Sequence, residues 1–215
     1  MKIKKGELIF AKAYINEHFD RIVEWAIGDI RRCCRMNQDG TCDDKGALVG
    51  AFILWTCAID YFGGLYTGQT SSGATKARFK GFIEKYLSRY NAESIEELRW
   101  SLQHYYSPHN FVLYHENNLE QNKYLHLKQT SKGILLHLGW AIKDLEDGVN
   151  QFCNDLRLSD NLKIKLWRYY KEQLPIAPVQ VETLVTPKTF SSLATGTAIQ
   201  SISASGTISP TDWMK

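Results

Sequence analysis

Arg99 and His104 are the residues of this 215-residue chain whose types and spacing suggest chemistry most directly. They bound the segment Arg99-Trp-Ser-Leu-Gln-His104. A guanidinium grips phosphate oxygens through two parallel hydrogen bonds, while an imidazole titrates near neutrality and carries protons. Phosphate chemistry is therefore the reaction class the pair could serve. On an ideal helix, five residues at about 100° each place the two side chains about 140° apart, on different stripes. Convergence then requires a loosened helix end or a second subunit. The simpler structural account pairs Arg99 with Glu96 or Glu97 and makes His104 a hydrogen-bonded histidine near a helix C-terminus.

Several other side chains are candidates of lesser rank. Asp60 lies in the apolar stretch Ala47 to Tyr66, just before Gly63-Gly64, where an acid needs a partner such as Arg78 or Arg99. A folding role is the simpler account of it. Tyr105 and Tyr106 could stack on RNA bases, and His109 follows closely, although aromatic residues at helix ends commonly belong to the core. His109, His115 and His126 could share a metal only if the chain gathers them, and acidic ligands at supporting spacing are missing. No metal site and no cofactor are expected. Cys33 and Cys34 lie among Arg31, Arg32 and Arg35, a basic patch that could lower a thiol pKa or touch phosphate but reads as well as a solvated helix face. Phosphate-binding glycine loops, the G-x-S-x-G elbow and the H-E-x-x-H pair are all missing from the sequence.

The elements that must position these residues are mostly helical. Ile9, Phe10, Ala13, Tyr14, Ile22, Trp25 and Ala26 recur near the 3.6-residue period, until Asn37 to Gly40 breaks it. A second helix, from about Lys45 to Tyr66, is apolar all round and should be enclosed by the others. Its uncharged part, Ala47 to Ile59, is shorter than a membrane span needs, so it reads as a core helix. Thr67 to Gly73 forms a polar loop before a third helix carrying Phe79, Phe82, Ile83, Tyr86, Leu87 and Tyr90. Ser94-Ile-Glu-Glu97 has the form of a capping box and starts a fourth helix that Pro108 ends. Phe111 to His115 and Lys123 to Leu127 are β-prone runs that predict a small hairpin around Glu116-Asn-Asn118. A fifth helix spans about Ser131 to Leu156, and Ser159-Asp160 caps a sixth ending near Leu174.

Composition sets the outer bounds. The chain is 44% apolar and 23% charged, which is ordinary for a globular protein and excludes collagen or wholesale disorder. A net charge of +3 creates no global field for coating nucleic acid, so any RNA contact must be local. Five cysteines, odd in number and unevenly spaced, are expected as free thiols. Glu7, Glu17 and Asp20 interrupt the first apolar stretch, so no secretory signal is expected and the protein is read as cytoplasmic. Residues 1–174 are expected as one helical domain. Residues 175–215 carry only Glu182, Lys188, Asp212 and Lys215 as charges and are rich in Ser, Thr, Ala and Gly, so a flexible tail is expected. Alternating Val179, Val181, Thr183 and Val185 make that tail a candidate segment for binding a protein partner.

These residues also resemble a family. R-x-x-x-x-H at a helix end in an all-helical chain looks like the motif of HEPN proteins (higher eukaryotes and prokaryotes nucleotide-binding). AIDYFGGLYTG, then ARFKGFIEKYL, then ELRWSLQHYYSPHNFVLYHE is similar in order to a group of uncharacterised bacterial HEPN-like proteins, over about residues 45–173. The resemblance implies an all-α, HEPN-like bundle of about six helices that forms a homodimer, pairing two Arg/His motifs across the interface. It implies RNA as a partner and a metal-independent endoribonuclease. His104 would assist attack of a ribose 2′-hydroxyl on its phosphate and Arg99 would stabilise the developing charge. Tyr105, His109 and Asp60 would then be the substrate-binding candidates. Trp100 departs from the pattern, because active members usually carry a polar residue directly after the arginine. The alternative that follows is a non-catalytic interaction or regulatory module, of the kind found in toxin-antitoxin or phage-defence systems.

Overall fold

A computed structural model describes residues 5–37, 41–43, 46–116 and 119–173. The expected tail, residues 175–215, and part of the turn at Asn37 to Gly40 lie outside the described residues. The elements run α1 (Lys5–Cys33), α2 (Leu48–Thr67), α3 (Thr75–Tyr86), α4 (Ala92–Tyr105), β1 (Phe111–Tyr114), α5 (Leu119–Asn122), β2 (Gln129–Thr130), β3 (Gly133–His137), α6 (Leu138–Leu158) and α7 (Asp160–Gln173). The all-α expectation holds, with a small sheet set into one flank.

The apolar α2 is the centre of this arrangement. It packs against α1, α3, α4, α6 and α7. Phe52, Trp55, Ile59 and Phe62 on it are fully buried, and the Trp55 indole donates to the Ala141 carbonyl of α6 at 2.8 Å. By length and composition α2 would suffice to cross a membrane. Ten of its residues, however, are buried by its neighbours in the bundle. Asp60 and the glycine pair do not end the helix. A Cβ on Gly63 would lie 2.4 Å from the Arg78 carbonyl oxygen, and one on Gly64 would lie 2.2 Å from the Tyr169 ring. The pair therefore lets α3 and α7 approach closely, and α2 runs on to a left-handed C-cap at Gly68.

The start of α4 also differs from the expected capping box. Asn91 is the N-cap, its side-chain oxygen accepting the Ser94 N–H at 2.9 Å, so the helix begins three residues earlier. Asn and Ser are comparable caps, and capping at Asn91 brings the buried Ala92 into the helix.

The predicted hairpin does not form. β1 pairs in parallel with β3, Phe111 opposite Ile134, and β2 pairs antiparallel with β3, giving the order β1-β3-β2. Lys123 to Leu127 instead folds into turns, with the His126 N–H on the Asn122 carbonyl at 2.9 Å and Leu127 at φ +67°. This conformation directs His126 into the core, where its partners are. The tight connection joins β2 and β3, and there Gly133 adopts φ +131° with its backbone against the Asn110 carbonyl. As a result the expected fifth helix loses its first turns to β3. Its cap is His137, whose Nδ1 accepts the Trp140 N–H at 3.3 Å. The last helix follows Ser159, whose hydroxyl accepts the Leu162 N–H at 3.3 Å, as the Ser159-Asp160 cap predicts.

Candidate functional site

The C-terminal half of α4 carries Arg99, Trp100, Gln103, His104 and Tyr105. Its helical geometry divides them as the spacing predicts. Arg99 faces inward over the Phe79 ring of α3, its guanidinium carbon 5.2 Å from the ring centroid. One terminal nitrogen donates to Glu96 at 3.5 Å and the other to Gln103 at 3.3 Å. Only 13% of its side chain is exposed, and its Nε is buried without a partner. Glu96 also meets Lys76 at 3.3 Å. Gln103 in turn reaches the Cys57 sulfur on α2 at 3.7 Å. Arg99 thus packs α4 against α3 and, through Gln103, ties it to α2, with one contact at each terminal nitrogen.

His104 lies on the other side of the helix and is exposed. Its ring stands against Trp100, centroids 5.3 Å apart, and Trp100 meets Tyr105 edge to face at 5.0 Å. Among the described residues no hydrogen bond, ion pair or ring contact links Arg99 to His104. Trp100 is 48% exposed, and Tyr105 and Tyr106 are each 65% exposed. Tyr106 takes φ +54° and ends the helix before Pro108 does, so three aromatic side chains and His104 project from one helix end. His109 is exposed at φ +52° and joins no other candidate.

Asp60 is held in an ion pair. Its two oxygens accept from Arg78 Nε and Nη2, both at 2.9 Å, in a planar bidentate pair. Arg78 also donates to the Gln69 carbonyl at 3.4 Å and lies 5.8 Å from the Tyr169 ring centroid. The hydrogen bonds to Asp60 hold the Arg78 guanidinium still more firmly protonated than usual. Of the two arginines proposed as partners for this acid, Arg78 is the one that takes it.

One polar cluster was not legible in the sequence. Asp144 of α6 accepts from the Tyr90 hydroxyl at 2.8 Å and from Arg89 at 2.9 Å, while Tyr90 Oη lies 2.9 Å from His126 Nε2. His126 Nδ1 accepts the His137 N–H at 3.2 Å, which assigns the proton of the neutral imidazole to Nε2. Burial opposes ionisation of Asp144, but hydrogen bonds from His126 and Tyr90 and the charge of Arg89 hold its pKa below the usual carboxylate range. Burial and the carboxylate raise Tyr90 far above a free phenol. Tyr90 stands between His126 and Asp144, an arrangement that resembles a proton relay. Yet the His126 side chain is fully buried, so the cluster locks the β3–α6 corner together. Residues 90, 126 and 144 lie too far apart in sequence for any motif to reveal it.

His109, His115 and His126 are not gathered, and no group of three or more His, Cys, Asp or Glu among the described residues is placed to hold a metal ion. All five cysteines are free thiols. The chain matches no protein-family model, no curated protein and no solved structure.

Proposed function

We propose that this bundle is an HEPN-like interaction module whose working surface is the aromatic end of α4. The observation that carries the reading is the separation of Arg99 from His104. Arg99 is engaged by Glu96, Gln103 and the Phe79 ring, while His104 faces outward beside Trp100. A guanidinium with only 13% of its side chain exposed offers little surface to a phosphate, whereas Trp100, Tyr105 and Tyr106 offer large, rigid apolar surfaces of the kind that anchor protein interfaces. The partner proposed is a second copy of the chain, paired through this end. Sedimentation velocity at tens of micromolar is expected to give a dimer that a Trp100→Ala/Tyr105→Ala variant converts to a monomer. A monomeric wild type overturns the self-pairing.

The metal-independent ribonuclease remains the second reading, favoured by the exposure of His104 at the same helix end. It needs a partner subunit to bring a cation to that imidazole. Incubating a mixed RNA pool in EDTA with the wild type and with His104→Ala separates the two. The module reading expects no cleavage by either protein. Cleavage that is lost in a folded His104→Ala variant establishes the ribonuclease instead.

A further inference from the structure

A second surface, away from α4, has the make-up of a small-molecule site. Between α1, α2 and α7 lies a groove of about 420 Å³, within the size range of ligand pockets. Its walls are aromatic and come from three helices: Tyr14 and Trp25 from α1, Tyr61 from α2 and Tyr170 from α7. Tyr14 and Tyr170 meet with ring centroids 3.7 Å apart and planes tilted by 34°, and Trp25 is 57% exposed.

The polar groups of the groove are unequal in a way that selects a ligand charge. Asp29 is taken by Arg32 at 2.6 Å, and His18 faces Glu17 at 3.6 Å. Arg21 has no such partner. Of the nine arginines, it is the only one without a hydrogen bond or ion pair to another of the described residues. The Tyr61 hydroxyl likewise makes no hydrogen bond among the described residues, and burial, with Tyr169 and Tyr170 near it, pushes its pKa up to about 12. Tyr61 therefore stays a neutral O–H donor across the physiological range. Two donors without acceptors flank a slot whose walls are flat rings.

We infer that this groove binds a planar aromatic carboxylate, its ring against Trp25 and the tyrosines and its carboxylate on Arg21 and the Tyr61 hydroxyl. One guanidinium and one phenol match a monoanion, and a phosphate dianion would leave charge unmet. Aromatic rings prefer such walls for their quadrupoles as well as their apolar area. This proposal goes beyond the α4 reading and shares no residue with it.

Isothermal titration of the full chain with indole-3-acetate tests the site, against indole-3-ethanol as the neutral ring and cyclohexaneacetate as the anion without one. Saturable binding of indole-3-acetate is expected, about tenfold or more tighter than either control, since a charge-assisted bidentate contact and a ring stack each contribute at this level. Arg21→Ala should abolish the preference for the acid over the alcohol, and Trp25→Ala should weaken both indoles. Arg21 and Trp25 are exposed, so neither variant should unfold, and circular dichroism checks this. Equal affinity for acid and alcohol, unchanged acid binding in Arg21→Ala, or no saturation with any probe overturns the proposal. So does a self-association of the wild type that Trp25→Ala abolishes, because a second copy would then fill the groove.

Discussion

Asp60 and Arg78 show why a charge can survive on the apolar face of a core helix. Each satisfies the other in a bidentate pair, with side-chain exposures of 22% and 11%. Removing one partner strands the other in a poorly hydrated site. Asp60→Ala is therefore expected to cost about 3 kcal/mol, the range for breaking a buried ion pair, measured by urea unfolding. Arg99 and His104 should behave differently from each other. Arg99→Ala loses two hydrogen bonds and a ring contact and should cost about 1–2 kcal/mol. His104→Ala, on the exposed side of the helix, should stay within about 0.5 kcal/mol of the wild type. Equal costs for the two would contradict the division of α4 into an inward and an outward stripe.

Elements meet at glycines and at caps, and both contacts can be tested. Gly63 and Gly81 are each inside a helix, where alanine normally gains up to about 1 kcal/mol. A Cβ at Gly81 would find its nearest neighbour at 3.9 Å, so Gly81→Ala should stabilise the fold. At Gly63 the same change pushes against backbone at 2.4 Å and should destabilise it by about 2 kcal/mol. The β3–α6 corner should be sensitive to acid. Burial lowers the His137 pKa, while its contact with the Glu116 carbonyl opposes this. The folded state thus binds the His137 proton less tightly than the unfolded chain. Its contribution is complete above the free-histidine value of about 6.5 and is lost as pH falls through the depressed folded value. Asp144, also depressed, adds a second loss below about pH 3.9. Urea titrations from pH 8 to pH 3 should show both steps. His137→Asn, which keeps a cap acceptor, should remove the upper one.

At the scale of the whole molecule, α2 sits inside a sleeve of five other helices, and function is left to the outside of the bundle. Among the aromatic surfaces there are the end of α4 and the groove beside α1. The sedimentation and titration experiments above address them separately, since Trp100 and Trp25 lie on different helices. A Trp100→Ala/Tyr105→Ala variant should lose self-association by tenfold or more in Kd while keeping any carboxylate binding, because hot-spot aromatics dominate interface energy.

Much of this organisation was determined by the sequence alone. Periodic apolar residues placed the helices, the all-apolar Ala47 to Ile59 placed α2 at the centre, and the 140° offset already separated Arg99 from His104. These are local consequences of a fixed helical repeat, so no distant contact is needed to read them. Tertiary structure decided what local preference leaves open. Asn91 capped the helix in place of Ser94, which brought the buried Ala92 into its first turn. Phe111 to Tyr114 took Ile134 to His137 as its parallel partner instead of its sequence neighbour, and this turned the expected start of a helix into a strand. The cluster of Tyr90, His126 and Asp144, and the unpaired Arg21 among aromatic rings, exist only once separate elements pack. Their partners are set by burial across tens of residues of chain, and no spacing rule spans that distance.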